Sequence, residues 1–171
     1  MGARRLGGRI GYAVAAAHPG RLAGLVALDS VPSPDVDPVE YRNAARDVLA
    51  KGTGALIREM AGAEAEQPPA WLVEHLSETD TEVFAATYEA FATEPPFWQV
   101  AEQITVPTLH LLGVADSDPD WWALGQAAAA AMPEATAVAL NGLGHLQAFW
   151  RADQSVPPIE RFLAKISAGR S

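Results

Sequence analysis

The sequence predicts an α/β protein, with about three parallel strands, flanking helices and one helical insertion. Three runs without a polar face, LAGLVAL (22–28), ITVPTLHLLG (104–113) and ATAVAL (135–140), have the length of strands covered by helices on both sides. Segments of helical period separate them, and such alternation is the mark of a parallel sheet. Between the first two runs, residues 38–94 read as helical throughout.

The elements follow in order. Residues 9–17 are rich in Ala, with Ile10 and Val14 four apart, and His18-Pro19-Gly20 stops that helix. The first strand, Leu22 to Leu28, ends on Asp29, which reads as a solvated strand-end carboxylate or an alternative catalytic acid. A loop with three prolines and two aspartates runs from Ser30 to Pro38. Val39, Ala45, Val48 and Leu49 give one amphipathic stretch, and Leu56, Ile57 and Met60 another. After the turn Gln67-Pro68-Pro69 come Trp71, Leu72, Val73 and Leu76. A further helix takes Thr79 or Asp80 as its N-cap and sets Val83, Phe84, Thr87, Tyr88 and Phe91 on one face, until Pro95-Pro96 ends it. The second strand, 104–113, tolerates Pro107 near its start. Asp118, Pro119 and Asp120 open a helix to Met132, closed by Pro133. The third strand, 135–140, leads to the turn Asn141-Gly142-Leu143-Gly144-His145, and Val156 to Ile166 reads as a last amphipathic helix.

Composition narrows the possible functions. The 171 residues suit one chain fold able to bury about two-thirds of its unfolded surface. Asp and Glu number 21 against 12 Lys and Arg, a net charge of −9. That balance repels phosphate backbones and argues against nucleic-acid binding; the one basic cluster is Arg4, Arg5 and Arg9. The absence of cysteine removes disulfides, thiolate metal sites and thiol nucleophiles, and favours a reducing compartment. The four histidines (His18, His75, His110, His145) have no metal-ligand spacing, so neither a metal nor a cofactor is expected. The amino-terminal order of charged, apolar and A-x-A-like residues mimics a signal peptide, but its apolar run of eight residues, with Gly11 and Tyr12 inside, continues into a folded pattern. No run approaches the roughly twenty apolar residues of a membrane span. The expectation is a cytoplasmic protein without membrane contact.

Three segments then point to one family. The order GG-R-I-G-x-A-x-A-x-x-H-P-G-R-L-x-G-L-V-x-L-D, V-P-T-L-x-L-L-G-x-x-D and N-G-x-G-H resembles the C-terminal portion of the α/β-hydrolase fold. The resemblance implies an acid at Asp116, in Gly113-Val114-Ala115-Asp116, and a base at His145. It places residues 1–37 and 95–171 in the hydrolase core and residues 38–94 in a helical cap over the pocket. It implies an oxyanion N–H from the backbone of Leu6 and a nucleophile at position 5. Position 5 is Arg, and Ala3 stands where the first elbow glycine belongs. A guanidinium has no lone pair to attack a carbonyl, so the elbow is degenerate. The family's first five strands also have no counterpart ahead of it.

Each residue has a plainer reading. Asp116 alone reads as a helix N-cap or loop carboxylate and His145 as a turn residue. Only their joint placement after consecutive strands points to an acid–base pair. His18 and His75 read as surface residues and His110 as packing. The expectation is therefore a relative of serine ester or acyl hydrolases of small apolar substrates, inactive as it stands for want of a nucleophile. Two alternatives stand beside it: a non-catalytic interaction module, pairing as a homodimer through the exposed Leu22–Leu28 edge, and a truncated or mis-started product of a longer active hydrolase.

Overall fold

The computed structural model describes residues 6–31, 37–62, 66–93, 98–114, 119–144 and 147–169. In chain order they form α1 (Leu6–Ala17), β1 (Leu25–Leu28), α2 (Pro38–Lys51), α3 (Thr53–Gly62), α4 (Ala70–Ser77), α5 (Thr81–Phe91), α6 (Trp98–Ala101), β2 (Thr108–Val114), α7 (Pro119–Ala130), β3 (Ala135–Asn141) and α8 (Ala152–Ala168). The three strands make one sheet, ordered β1-β2-β3 and parallel throughout. β2 pairs along its whole length with β3, from Thr108 opposite Ala135 to Val114 opposite Asn141, and with β1 from Leu25 opposite Thr108 to Leu28 opposite Leu111. The predicted fold class, three parallel strands with flanking helices, is the observed one.

The chain divides into two compact units, Met1–Ser33 with Phe97–Ser171, and Pro34–Pro96. In the first, the two faces of the sheet are covered by different helices, and the period-2 alternation of the strands sorts the side chains. Ala27 and Leu112 point to one face, into a core with Tyr12 and Ala15 from α1 and Trp121 and Ala128 from α7. Leu109, Leu111 and Leu140 point to the other, with Ile159 and Phe162 of α8 packed against them. In the second unit, α2 packs on α5 through Ala45, Val48 and Ala85, beside an aromatic group of Tyr41, Tyr88 and Phe91. Asp37 caps α2 by accepting from Val39 N–H (2.8 Å). Asp80 caps α5 by accepting from Glu82 N–H (2.9 Å) and Val83 N–H (3.0 Å). Asp80, not Thr79, is therefore the cap.

Several boundaries differ from expectation. β1 begins at Leu25, not Leu22, because Pro19–Arg21 form a 3-10 turn whose cap is Leu22, donating its N–H to Pro19 O (3.4 Å). β2 begins at Thr108, after Pro107, and α8 begins at Ala152, before the Pro157-Pro158 pair it contains. Ala45, Val48 and Phe91 are buried as the stripes predict, but Val39, Leu49 and Val83 are exposed and Tyr41 and Ala85 are buried in their place, so the core faces of α2 and α5 differ from the predicted stripes at their edges. Trp71 is exposed as well. Pro95 and Pro96 lie outside the described residues.

His110 is the one histidine on β2 and it is fully buried, as expected of a packing residue. Its ring also stacks on Tyr12 at 5.7 Å, with Nδ1 3.0 Å from the Tyr12 hydroxyl. That hydroxyl donates to Ser30 O (2.9 Å), so Nδ1 carries a hydrogen and donates it to the hydroxyl oxygen. Burial pushes its pKa down to about 4 from 6.5. The folded pKa lies below the unfolded one, so the unfolded chain takes up this proton first as the pH falls. Stability is therefore complete above about pH 6.5 and is lost progressively toward pH 4, by up to about 3 kcal/mol. Urea titrations at stepped pH are expected to show that acid loss, and His110→Leu to lack its share; equal slopes in both chains refute the assignment.

Candidate functional site

In a parallel sheet the loops at the carboxyl ends of the strands are where ligands bind. Here the loops that carry the two candidate residues leave that end side by side. Asp116 follows β2 and His145 follows β3, the two strands remaining paired to their last residues, Val114 and Asn141. Gly142 N–H donates to Val114 O (2.9 Å), prolonging the junction by one residue. Gly142 has φ 77°, in the left-handed region that glycine enters without a steric cost, and this reverses the chain after β3. Gly113 is fitted just as closely: a Cβ there would lie 2.5 Å from Gly144 O and 3.0 Å from Leu143 O. A side chain at 113 would force the two loop stems apart.

Asp116, His145 and Arg5 themselves lie outside the described residues. Leu6 is the first residue of α1, so its backbone N–H belongs to the first helical turn, where four donors lack intrahelical partners. The residues that flank the candidates are well defined, and buried polar side chains hold both pairs of stems. Segment 145–146 is spanned by Gly144 and Gln147. Gln147 Oε1 accepts from Gly144 N–H (2.7 Å), and Gln147 N–H donates to Gly144 O (3.1 Å). Gln147 is buried.

Segment 115–118 is spanned through Asp29. This residue, expected to be solvated, has no exposed surface at all. Its φ of 49° is the only positive value at a non-glycine position among the described residues, a conformation that Asp tolerates better than most. The turn that this produces sends the carboxylate inward across the end of β2. Asp29 Oδ1 accepts from Gly113 N–H (3.1 Å) before the segment and from Trp121 Nε1–H (3.1 Å) after it, and Asp29 N–H donates to Leu111 O (2.6 Å). Sequence reasoning missed both clamps. An Asp that ends a strand and a Gln two residues past a His carry no local sign of burial.

Other features lie elsewhere. His18 and His75 are exposed, as expected. An open groove of about 980 Å³ runs along α8 at the opposite, amino-terminal end of the strands, lined by Leu22, Pro107, Pro133, Arg161, Phe162 and Lys165. It is remote from the loops just described. Among the described residues there is no group of three or more His, Cys, Asp or Glu able to hold a metal, and no helix long and apolar enough to cross a membrane.

Replacing Gln147 with Ala leaves the part-buried Gly144 N–H without its acceptor, and is expected to lower stability by about 1 kcal/mol. Denaturant titration measures this. Amide exchange at Gly144 is expected to quicken more than at Leu111, and equal exchange at both would refute a clamp local to the loop.

No protein-family model matches the chain, and no match is found among curated proteins. Solved structures do match. The chain is similar to the enol-lactonase from Burkholderia xenovorans LB400, with a TM-score of 0.78 and 24% identity over 94% of this chain and 64% of that one. It is similar to a thermophilic esterase from Thermogutta terrifontis, with a TM-score of 0.76 and 24% identity over 95% and 63%. A third match is MenH from S. aureus, with a TM-score of 0.79 and 17% identity over 96% and 67%. The chain thus spans about two-thirds of the length of these proteins. The backbone likeness covers nearly all of this chain, and the chain has a partial α/β-hydrolase fold.

Proposed function

We propose that the chain carries the acid–base part of a serine-type ester or acyl hydrolase site, built for small apolar substrates. Asp116 is the acid, His145 the base and the Leu6 backbone N–H an oxyanion donor. The observation that carries this reading is the junction of β2 and β3, where Gly113 is packed against Gly144 and the two candidate-bearing segments begin together. The hydrolase names of similar folds, an enol-lactonase and an esterase, support the reaction class. On the same reading, residues 38–94 are the helical cap insertion.

The chemistry needs only side chains and backbone. A carboxylate at His145 Nδ1–H orients the ring and stabilises its charged form, leaving Nε2 to take a proton from a nucleophile. Helix-terminal N–H groups steady the oxyanion that develops on the attacked carbonyl. Arg5 stands at the nucleophile position, and a guanidinium neither attacks a carbonyl nor gives up a proton near neutral pH. The chain as it stands is therefore assigned no turnover of its own.

p-Nitrophenyl acetate and butyrate are expected to hydrolyse no faster with the protein than in buffer. A rate that disappears in His145→Ala overturns the inactivity. The pair is tested without turnover, by the ring-nitrogen NMR shifts of His145. A carboxylate partner holds the Nδ1–H tautomer, and Asp116→Ala is expected to return the ring to the mixture of a free imidazole.

A second reading, association of two copies through the outer edge of β1, is supported by the sheet order. Among the described residues β1 pairs with β2 alone, which leaves the N–H and C=O groups of its other side open to a partner strand. Light scattering is expected to give twice the 18.1 kDa chain mass on this reading, and a single-chain mass rules it out.

A further inference from the structure

We infer that Asp29 is a positioning residue for the candidate acid, holding the loop of Asp116 at the distance from His145 that their pairing requires. The inference rests on the Asp116–His145 reading above and deepens it.

Three observations carry it. First, the carboxylate is fully buried and is brought there by a backbone conformation rare outside glycine. A buried carboxylate is costly unless it accepts hydrogen bonds, so a solvated Asp in an ordinary turn would be the cheaper arrangement. Second, the donors to Oδ1 come from the two sides of one short segment. Gly113 N–H stands before residues 115–118 and Trp121 Nε1–H after them. One oxygen therefore sets the separation of the stems between which Asp116 lies. Third, the Gly113 that it holds is the glycine packed against Gly144 O, one residue ahead of His145. The grip of Asp29 thus reaches a stem of each candidate segment, although Asp29 follows a third strand.

The alternative is a purely structural knot that stabilises the sheet end and has no bearing on the pair. The ring nitrogens of His110 and His145 separate these cases in one spectrum. His110 reports the integrity of the core through its Nδ1 contact with Tyr12. His145 reports the pair. The full chain is compared with Asp116→Ala, Asp29→Ala, Asp29→Asn and Trp121→Phe by long-range 1H–15N NMR.

The expected result has four parts. The wild type holds His145 as Nδ1–H, and Asp116→Ala loses that preference. Asp29→Ala loses it too, while His110 keeps its shifts. Asp29→Asn, which retains an acceptor oxygen, restores it. Trp121→Phe, which deletes only the indole donor, shows a smaller loss and serves in place of Asp29→Ala if that variant does not fold. If Asp116→Ala frees His145 and a folded Asp29→Ala or Trp121→Phe does not, the positioning role is wrong and the pair stands. If His110 and His145 change together, Asp29 is a structural knot only and the role is again wrong. If Asp116→Ala leaves His145 as it was, the pair itself is wrong and the role falls with it.

Discussion

The sheet-bearing unit depends on one constraint: among the described residues, β2 is the only strand that must satisfy neighbours on both edges and both faces. Its backbone pairs with β1 and β3, and residues 108–113 are all buried. Apolar side chains meet the demand on the faces at little cost, and of the two polar residues on the strand Thr108 is satisfied locally while His110 keeps a buried Nε2 without a hydrogen-bond partner among the described residues. Thr108 donates its hydroxyl back to Val106 O (3.0 Å), and His110 stays neutral against Tyr12. An unmet donor or acceptor here would cost several kcal/mol in a low-dielectric interior. α1, α7 and α8 then have little freedom, because each covers a face whose residues β2 has already set.

The same constraint explains why polar clamps gather at the carboxyl end of the sheet. Beyond Val114 and Asn141 the ladder stops, and the backbone needs other partners if the loops are to keep their positions. Asp29 and Gln147 supply them, one to β2 and α7, the other to the turn after β3. Neither residue belongs to the proposed acid–base pair. Each fixes a stem from which a member of that pair departs, so the geometry of the site is tied to side chains that a catalytic motif does not contain.

Much of this was legible along the chain. The three strands show because an apolar run of strand length, bounded by turn residues, has few alternatives. The cap at Asp80 shows because a carboxylate ahead of a helix accepts orphan amide donors, a purely local need. The positions of Asp116 and His145 after consecutive strands were legible through the order of motifs. What failed had a common cause. Leu49 and Val83 were assigned to buried faces by periodicity, but an amphipathic stripe states only that one side is apolar. How far the packed face extends depends on the partner helix, which here takes in Tyr41 and Ala85 beside the expected Ala45, Val48 and Phe91. β1 was drawn three residues too long because the turn after Pro19 consumes Leu22.

Asp29 marks the division most clearly. Local chemistry suffices to end a strand there and to exclude thiol chemistry, because each of these depends on residue type and spacing alone. Whether a strand-end carboxylate faces water or closes a buried junction is a different kind of question. Its answer depends on Gly113, eighty-four positions away, and on Trp121, ninety-two away, and only the pairing of β1 with β2 and the packing of α7 bring those donors to it. Burial and hydrogen-bond partnership are properties of the assembled sheet, since no short segment carries both the acceptor and its donors.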